Sequence, residues 1–506
     1  MMQDGRTKKV AVNVTYNFLN QFLTLILTFL SRTIFIYVFG AQYLGLNGLF
    51  SDVLGLLSLA ELGFSTAMLY NLYQPLAEHN YKRISALMAF YKKMYQIIAV
   101  IVLMLGLIIL PFLRFLVNLE QEIPDLEWYY LFSLVNVVCS YLCAHKTALF
   151  TADQKNYIVA KISMATNSVK IILQMVVAVL WKDYMLYLAI GTVGGLANSI
   201  AVLRVATKQY SFLDVTENVT QEEKKEILKN LCSVFVYKIS SVLLTATDNI
   251  LISTLVGTIA VGYYSNYLMV QSQLVTFYSL IFTSATASIG NLIVKEGAKR
   301  RYEVFESEQS VSFVLCGIVV PCYVSLINDF IRLWAGEAYV LSLGIVFAIG
   351  ANLYLSCVLQ PLWSYREATG LYRKTKWVMM VCALLNLVLS VFLGLWIGVA
   401  GIVLASALSR LLTYVWYEPK ILYQEYFQKR AVGYYGKIVA NAGITIGITC
   451  LGVFISKQFV SQTLLDFLCK SGIYFVVAGF FMFCIYSRSR GIKYIIDKMK
   501  GAMIKF

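Results

Sequence analysis

Charged residues are scarce in this chain of 506 residues, which is 59% hydrophobic and only 14% charged. A soluble globular domain carries about 25% charged residues, so the composition excludes that class of protein. Long apolar segments account for the difference, and many of them have the length that a bilayer requires. The sequence therefore predicts an all-α polytopic membrane protein.

Motifs that carry enzyme chemistry or bind metals are also missing. The sequence contains no HExxH, GxSxG or P-loop motif, and its two histidines, His79 and His145, stand far apart. The ten cysteines form no CxxC pair, and we interpret them as small buried hydrophobic residues rather than disulfides or metal ligands. We therefore expect no enzyme activity, no metal site and no cofactor.

The apolar segments predict about fourteen transmembrane helices, and a short uncharged turn at Gly40 to Gly45 joins the first two. The spans lie near residues 10–39, 44–70, 88–113, 127–150, 157–180, 184–206, 229–256, 261–292, 306–328, 338–364, 374–394, 397–417, 437–456 and 468–486. When the connecting loops are placed alternately on two sides, most of the 42 Lys and Arg residues lie on the side of the amino terminus. Because positively charged loops remain in the cytoplasm, we expect both termini to be cytoplasmic. This topology also explains the net charge of +15, so nucleic acid is not an expected partner.

An internal repeat relates the two halves of the chain at an offset of about 217 residues. The offset aligns FGAQYLG with VGTIAVG, so that Gly40 matches Gly257 and Gly45 matches Gly262. Each copy contains six predicted spans. Because six is an even number, both copies enter the membrane from the same side and the repeats are parallel.

The repeat and the polar stretches between spans predict the domain organisation. Two six-helix lobes are joined by a polar linker and followed by two further helices. The predicted segments are 1–206 (spans 1–6), 207–228 (cytoplasmic linker), 229–417 (spans 7–12), 418–486 (spans 13 and 14) and 487–506 (basic cytoplasmic tail).

Polar stripes run along several of the predicted spans. In span 1, Asn17 and Arg32 fall within one arc of about 120° at 100° per residue. An arginine in hydrocarbon costs at least about 2.5 kcal/mol, so Arg32 should face protein or a water-filled cavity. For the neutral residues, hydrogen bonds between helices are the alternative role. Comparable stripes contain Lys170 in span 5, Lys238, Asp248 and Asn249 in span 7, and Asn266 in span 8.

Span 2 contains two carboxylates, Asp52 and Glu61. Their separation corresponds to about 900° of helical rotation, which places them on opposite faces. Glu61 shares its face with Asn47, Ser51 and Ser58, so we expect Glu61 to face a cavity and Asp52 to pair within the lobe. This spacing also argues against a joint acid–base site.

Residues 32–78 resemble the opening of bacterial polysaccharide flippases, the O-antigen, capsule and exopolysaccharide repeat-unit translocases of the MATE-like MOP superfamily. The resemblance rests on Arg32, the Gly40 to Gly45 spacing, the ELGFSTA run and the twofold repeat. It implies two lobes around a central cavity in the bacterial cell membrane. It also implies a cargo, an undecaprenyl-pyrophosphate-linked oligosaccharide moved to the outer leaflet, and a polysaccharide polymerase and glycosyltransferases as candidate partners.

Such a cargo needs cations for its phosphates and hydroxyl or amide groups for its sugars. Transport of the cargo would be coupled to H⁺ or Na⁺, which would bind at Asp248 or Glu61. A cation-coupled multidrug exporter of the same fold remains an alternative, because intramembrane charges of both signs are nearly balanced. A membrane glycan polymerase or ligase is disfavoured by the short external loops. The predicted substrate-binding residues are Arg32, Lys170, Lys238, Asn17, Asn249 and Asn266.

Overall fold

The structure is a computed structural model. It divides the chain into two compact units, Met1–Gly262 and Tyr263–Phe506. The described residues form helices and no strand, which confirms the all-α prediction. The described residues are 2–58, 64–118, 123–214, 239–244, 246–283, 286–489 and 491–493.

The first unit is built around the contacts that α6 makes with α1 and α7, and that α5 makes with α3 and α7. The boundary between the units lies within α9. The helices are α1 (Met2–Leu57), α2 (Phe64–Ala77), α3 (Tyr81–Ile109), α4 (Leu113–Leu116), α5 (Leu126–Ala152), α6 (Asn156–Leu180), α7 (Tyr184–Gln209), α8 (Ile239–Leu255, described apart from residue 245) and α9 (Thr258–Thr283), with 3₁₀ turns at Leu110–Phe112 and Ser211–Asp214.

The second unit is organised around one long helix, α11, which packs against α12, α17 and α18. Among the other helices, α14 packs against α15, and α10 packs against α13. The helices of this unit are α10 (Thr286–Lys295), α11 (Ala298–Ala335), α12 (Leu343–Val358), α13 (Gln360–Thr369), α14 (Tyr372–Ile397), α15 (Val399–Leu412), α16 (Tyr414–Leu422), α17 (Val432–Gln458) and α18 (Leu464–Tyr486), with a 3₁₀ turn at Glu337–Tyr339 and a π-helical turn at Tyr423–Phe427.

Among the described residues, ten helical segments are long and apolar enough to cross a membrane. Helices α12 and α13, which are bent by 44° at their junction, would together make an eleventh. Large apolar side chains such as Phe115, Trp396 and Phe392 are at least 70% exposed, as expected for a surface in contact with lipid tails. The protein is therefore a multi-pass membrane protein, and the count of fourteen spans stays a prediction.

The backbone of α1 is interrupted at Gly40, which has φ 78° and ψ −174°. Glycine adopts positive φ with little steric cost because it has no Cβ. The 39 residues of Leu19–Leu57 would extend about 58 Å as one straight helix, roughly twice the hydrocarbon thickness. The break therefore lies where the sequence predicts the turn between spans 1 and 2. The repeat-mate Gly257, with φ 138°, lies between α8 and α9.

The second matched pair of glycines in the repeat forms a reciprocal contact within the first unit. A Cβ on Gly45 would lie 2.0 Å from the carbonyl oxygen of Thr258, and one on Gly262 would lie 2.1 Å from that of Ala41. The offset that relates Gly45 to Gly262 also relates Ala41 to Thr258. The two backbones therefore approach one another through equivalent positions of the two repeats.

Candidate functional site: a polar cavity in the first unit

A cavity of about 410 Å³ lies within the first unit, between the second half of α1 and helices α5, α6 and α7. Its lining combines neutral hydrogen-bonding groups with the ammonium group of Lys170, and no carboxylate is among the described lining residues. The polar ones are Asn47 and Ser51 of α1, Ser58 directly after α1, Ser133 and Asn136 of α5, Lys170 and Gln174 of α6, and Tyr187 and Thr192 of α7.

Lys170 supplies the positive charge of this cavity. The side chain is half-buried, and its stem packs against Gly194 of α7, where a Cβ would lie 2.5 Å from Cγ of Lys170. Within the described part of the chain, the ammonium group has no hydrogen bond and no ion pair. Because an ammonium group carries three donors, Lys170 can receive an anionic group inside the cavity.

Further glycines of α7 allow polar side chains from neighbouring helices to lie across its backbone. A Cβ on Gly195 would lie 2.2 Å from Oδ1 of Asn136, and one on Gly191 would lie 2.9 Å from Nε2 of Gln174. Nε2 of Gln174 donates a hydrogen bond to the carbonyl oxygen of Tyr187 at 3.0 Å. The GTVGG sequence of α7 therefore creates the space in which the polar lining assembles.

Arg32 lies beside the cavity through a shared neighbour, Tyr187, which lines the cavity and is within electrostatic range of Arg32. Arg32 is half-buried, and its expected position away from lipid stays a prediction. Exposed apolar residues occupy the face of α1 turned away from it. These are Leu19, Phe22, Ile26 and Leu30.

Asp52 and Asn249 form a hydrogen bond that joins α1 to α8. Nδ2 of Asn249 donates to Oδ2 of Asp52 at 2.6 Å, so Asp52 is paired, but its partner belongs to predicted span 7 and not to the predicted lobe 1–206, where we expected the partner. Oδ1 of Asn249 is buried and has no hydrogen-bond partner among the described residues. Asp248 is also buried. Neither Asn249 nor Asp248 is among the residues that line the cavity.

The other residues proposed from the sequence have separate positions. Asn266 is fully buried in α9, within the second unit. Asn17 belongs to α1, but its side chain lies outside the described residues, as do Glu61 and Lys238. The structure thus places Lys170 in the wall of the cavity and Arg32 within electrostatic range of Tyr187 in the same wall, whereas Asn266 is not among the lining residues.

Sequence reasoning missed the contributions of α5 and α7. Ser133 and Asn136 are spaced three residues apart and lie on one face of α5, but two polar residues are a weak signal in an apolar helix. Thr192 stands between the glycines of α7, and its hydroxyl donates to the carbonyl oxygens of Phe132 and Leu188 at 3.2 and 3.0 Å. The cluster of glycines was the available signal for close helix packing.

A family model described as polysaccharide biosynthesis protein matches residues 10–289, more than half of the chain. The chain belongs to the polysaccharide biosynthesis protein family. No curated protein sequence matches it. Family membership confirms the resemblance on which the sequence interpretation relied.

Solved structures with the same fold are membrane transporters. The lipid II flippase MurJ in an inward closed conformation matches with a TM-score of 0.70 and 13% sequence identity, over 94% of this chain and 98% of that chain. An inward-facing multidrug resistance MATE family transporter of the MOP superfamily matches with a TM-score of 0.53 and 13% identity, over 78% and 93% of the two chains. Identities this low show that the fold is shared, which confirms the predicted fold class.

Proposed function

We propose that this member of the polysaccharide biosynthesis protein family flips an undecaprenyl-pyrophosphate-linked oligosaccharide from the cytoplasmic to the outer leaflet of the bacterial cell membrane by alternating access. The observation that carries the proposal is the polar cavity of the first unit, with the ammonium group of Lys170 in its wall. The family and the MurJ-like fold support a lipid-linked substrate. Flipping moves the substrate without changing a covalent bond, so the protein needs no catalytic residue for it.

The chemistry of the cavity suits an anionic, hydroxyl-rich group. Sugar hydroxyls both donate and accept hydrogen bonds, and the amides of Asn47, Asn136 and Gln174 do the same. Lys170 provides a charge-assisted donor for phosphate or carboxylate oxygens. A multidrug exporter of organic cations would place its cargo against this like charge, so the cavity favours the oligosaccharide over the exporter alternative.

Arg32 is the second proposed ligand for the anionic headgroup. Arg32→Ala should abolish flipping while protein abundance stays near normal, and Arg32→Lys should restore it only in part, because a point charge replaces a bidentate fork. A loss of abundance in Arg32→Ala would instead assign Arg32 a structural role. Lys238, Asn17, Asn249 and Asn266 complete the proposed substrate-binding set.

Coupling to H⁺ or Na⁺ is proposed for Asp248, with Glu61 as the other candidate. Neutralising a carboxylate changes the charge balance within the membrane and can bias one conformation over another. Asp248→Asn should therefore remove the dependence of flipping on the coupling ion. An unchanged ion dependence in this variant would direct the test to Glu61.

Lys170→Met tests the proposal most directly. Removing a charged hydrogen-bonding group costs about 1.5–3 kcal/mol, which corresponds to roughly a tenfold to hundredfold loss of affinity. The assay is the movement of a fluorescent lipid-linked oligosaccharide between the leaflets of proteoliposomes. Lys161→Met is the matched control, because Lys161 lies on the same helix and is exposed, with Nζ 4.2 Å from the centre of the Tyr16 ring.

Two outcomes of this assay would contradict the proposal. Lys170→Met could flip the oligosaccharide at the wild-type rate, which would remove the cavity from the transport path. Alternatively, the wild type could move a cationic dye across the same membranes and leave the oligosaccharide in place. The second result would identify a multidrug exporter.

The proposed topology places both termini in the cytoplasm. Single cysteines at the exposed positions Lys182 and Gln462 should react with an impermeant maleimide added outside intact cells, whereas cysteines at Asn80 and Gly297 should not. The native exposed cysteines are replaced first. Equal labelling of the two sets would contradict the alternation of loops on which the topology rests.

A further inference from the structure

A carboxyl group without a partner lies in the second unit. Oε2 of Glu308, on α11, is shielded from solvent and has no hydrogen-bond partner within the described residues. The two neighbouring glutamates of the same helix are paired: Glu303 with Arg300 at 3.2 Å, and Glu306 with Lys437. Glu308 therefore differs from Glu303 and Glu306 in having no ion-pair partner among the described residues, although all three belong to one charged stretch of sequence.

One titratable neighbour is Tyr365 of α13, which is fully buried and within electrostatic range of Glu308. The hydroxyl of Tyr365 is directed elsewhere, because it donates to the carbonyl oxygen of Arg301 at 3.2 Å. On α9, Tyr278 hydrogen-bonds to Ser312, one turn along α11 from Glu308. Neither hydroxyl donates to the Glu308 carboxyl.

Several positive charges on the helices around α11 are paired with other carboxylates. Helices α9 and α12 contain no charged residue, and Lys295 of α10 is exposed. On α11, Nη2 of Arg301 donates to the carbonyl oxygen of Ile293, while its Nε is buried without a partner among the described residues. The ion pairs are Arg332 with Asp329 and Glu337, Arg366 of α13 with Glu418, Lys374 of α14 with Glu425 of the π-helical turn, Lys437 of α17 with Glu306, and Lys470 of α18 with Asp329.

Helix α13 also contains unsatisfied polar atoms. Nε1 of Trp363 and Oγ of Ser364, the two residues before Tyr365, are buried without hydrogen-bond partners in the described structure. Helix α13 packs against both α10 and α11. Buried polar atoms in native proteins are nearly always paired, so unpaired atoms on two helices in contact distinguish this region from a satisfied structural network.

Glu308 is half-buried, and a carboxylate with one oxygen shielded from water and unpaired is disfavoured relative to the neutral acid. A metal cation would require several oxygen ligands, and the described residues contain no cluster of three or more His, Cys, Asp or Glu side chains that could hold one. We propose that Glu308 is a proton-binding residue of the second unit, holding a proton while α11 and α13 enclose it and releasing it when water reaches it.

Infrared difference spectroscopy tests the proton site without reference to transport. The purified wild-type protein should show a carboxylic-acid C=O stretching band that changes with pH and shifts in D₂O. Glu308→Gln should lose this band, and Glu303→Gln, the same substitution on the same helix, should keep it. If Glu308→Gln does not fold, Glu308→Asp should keep a band at a shifted frequency. A wild type without a pH-dependent band, or a band unchanged in the Glu308 variants, would overturn the proposal.

The role of this proton in transport rests on the proposed function and is tested separately. In proteoliposomes, a pH gradient should accelerate wild-type flipping of the lipid-linked oligosaccharide, and Glu308→Gln should flip at one rate with or without the gradient. Gradient dependence retained in Glu308→Gln, or dependence on Na⁺ alone, would overturn the coupling role. If the wild type flips no oligosaccharide at all, the proposed function fails, and the infrared result still decides whether Glu308 binds a proton.

Discussion

Replacing Gly45 or Gly262 by alanine tests the reciprocal contact between the two repeats. In both variants the new methyl group would lie about 2 Å from a backbone carbonyl oxygen, at 2.0 Å for Gly45 and 2.1 Å for Gly262. Real Cβ atoms essentially never approach closer than 3.0 Å, so each backbone would have to move by about 1 Å. Unlike a flexible side chain, a helix backbone cannot move alone.

The size of the effect follows from two opposing contributions. Overpacking by a methyl group costs about 1–3 kcal/mol, whereas alanine is better than glycine in a helix by about 1 kcal/mol. Gly55→Ala provides the matched control on α1, because no atom lies within 4 Å of a Cβ there. Both variants gain the same helix propensity from alanine, and only Gly45→Ala has the cost of overpacking. Gly45→Ala should therefore be less stable than Gly55→Ala by about 1–3 kcal/mol.

Thermal unfolding of the purified variants in detergent measures this difference, which corresponds to about 2–4 °C in Tm for each kcal/mol in a unit of this size. Gly262→Ala should resemble Gly45→Ala, because the two glycines contact equivalent carbonyl groups. If Gly45→Ala is as stable as Gly55→Ala, the close approach of the backbones is not a packing constraint. If Gly45→Ala and Gly262→Ala differ widely in Tm, the two halves of the contact do not contribute equally to stability.

Two further variants test single interactions by thermal unfolding. Glu418→Gln should destabilise the protein by about 3–5 kcal/mol, because it removes the carboxylate that pairs with Arg366, whose side chain is only 11% exposed. Glu425→Gln breaks a more exposed pair and should cost less than about 1 kcal/mol. Equal losses of stability in the two variants would contradict the greater importance of the buried pair. Asn249→Ala should destabilise by about 1–3 kcal/mol by leaving Asp52 without its donor, and a double-mutant cycle with Asp52→Ala should show that the two losses are not additive.

Local sequence patterns predicted the features that depend on a single helix. The helical period placed Arg32 away from the lipid-facing side of α1, and glycine spacing predicted the turn at Gly40. The placement of Asp52 and Glu61 on opposite faces also follows from helical rotation alone, and it stays a prediction because Glu61 lies outside the described residues. These predictions needed no knowledge of which helices pack together.

Features that depend on helix pairing could not be predicted. Asp52 and Asn249 are 197 residues apart in sequence, and no local pattern indicates that they form a hydrogen bond. Asn136 enters the cavity wall because α7 has a glycine opposite it. Glu308 lies in a charged segment that resembles a solvated surface, and only the positions of neighbouring helices show that its carboxyl group lacks a partner.

The cavity around Lys170 is also a compartment for water. At about 30 Å³ for each molecule, a volume of 410 Å³ corresponds to on the order of a dozen waters, and a ligand group that enters must displace many of them. Each displaced water that was well ordered must be replaced by an equivalent hydrogen bond. Affinity should therefore depend on water activity, and osmolytes that are excluded from the cavity should strengthen binding in wild-type protein.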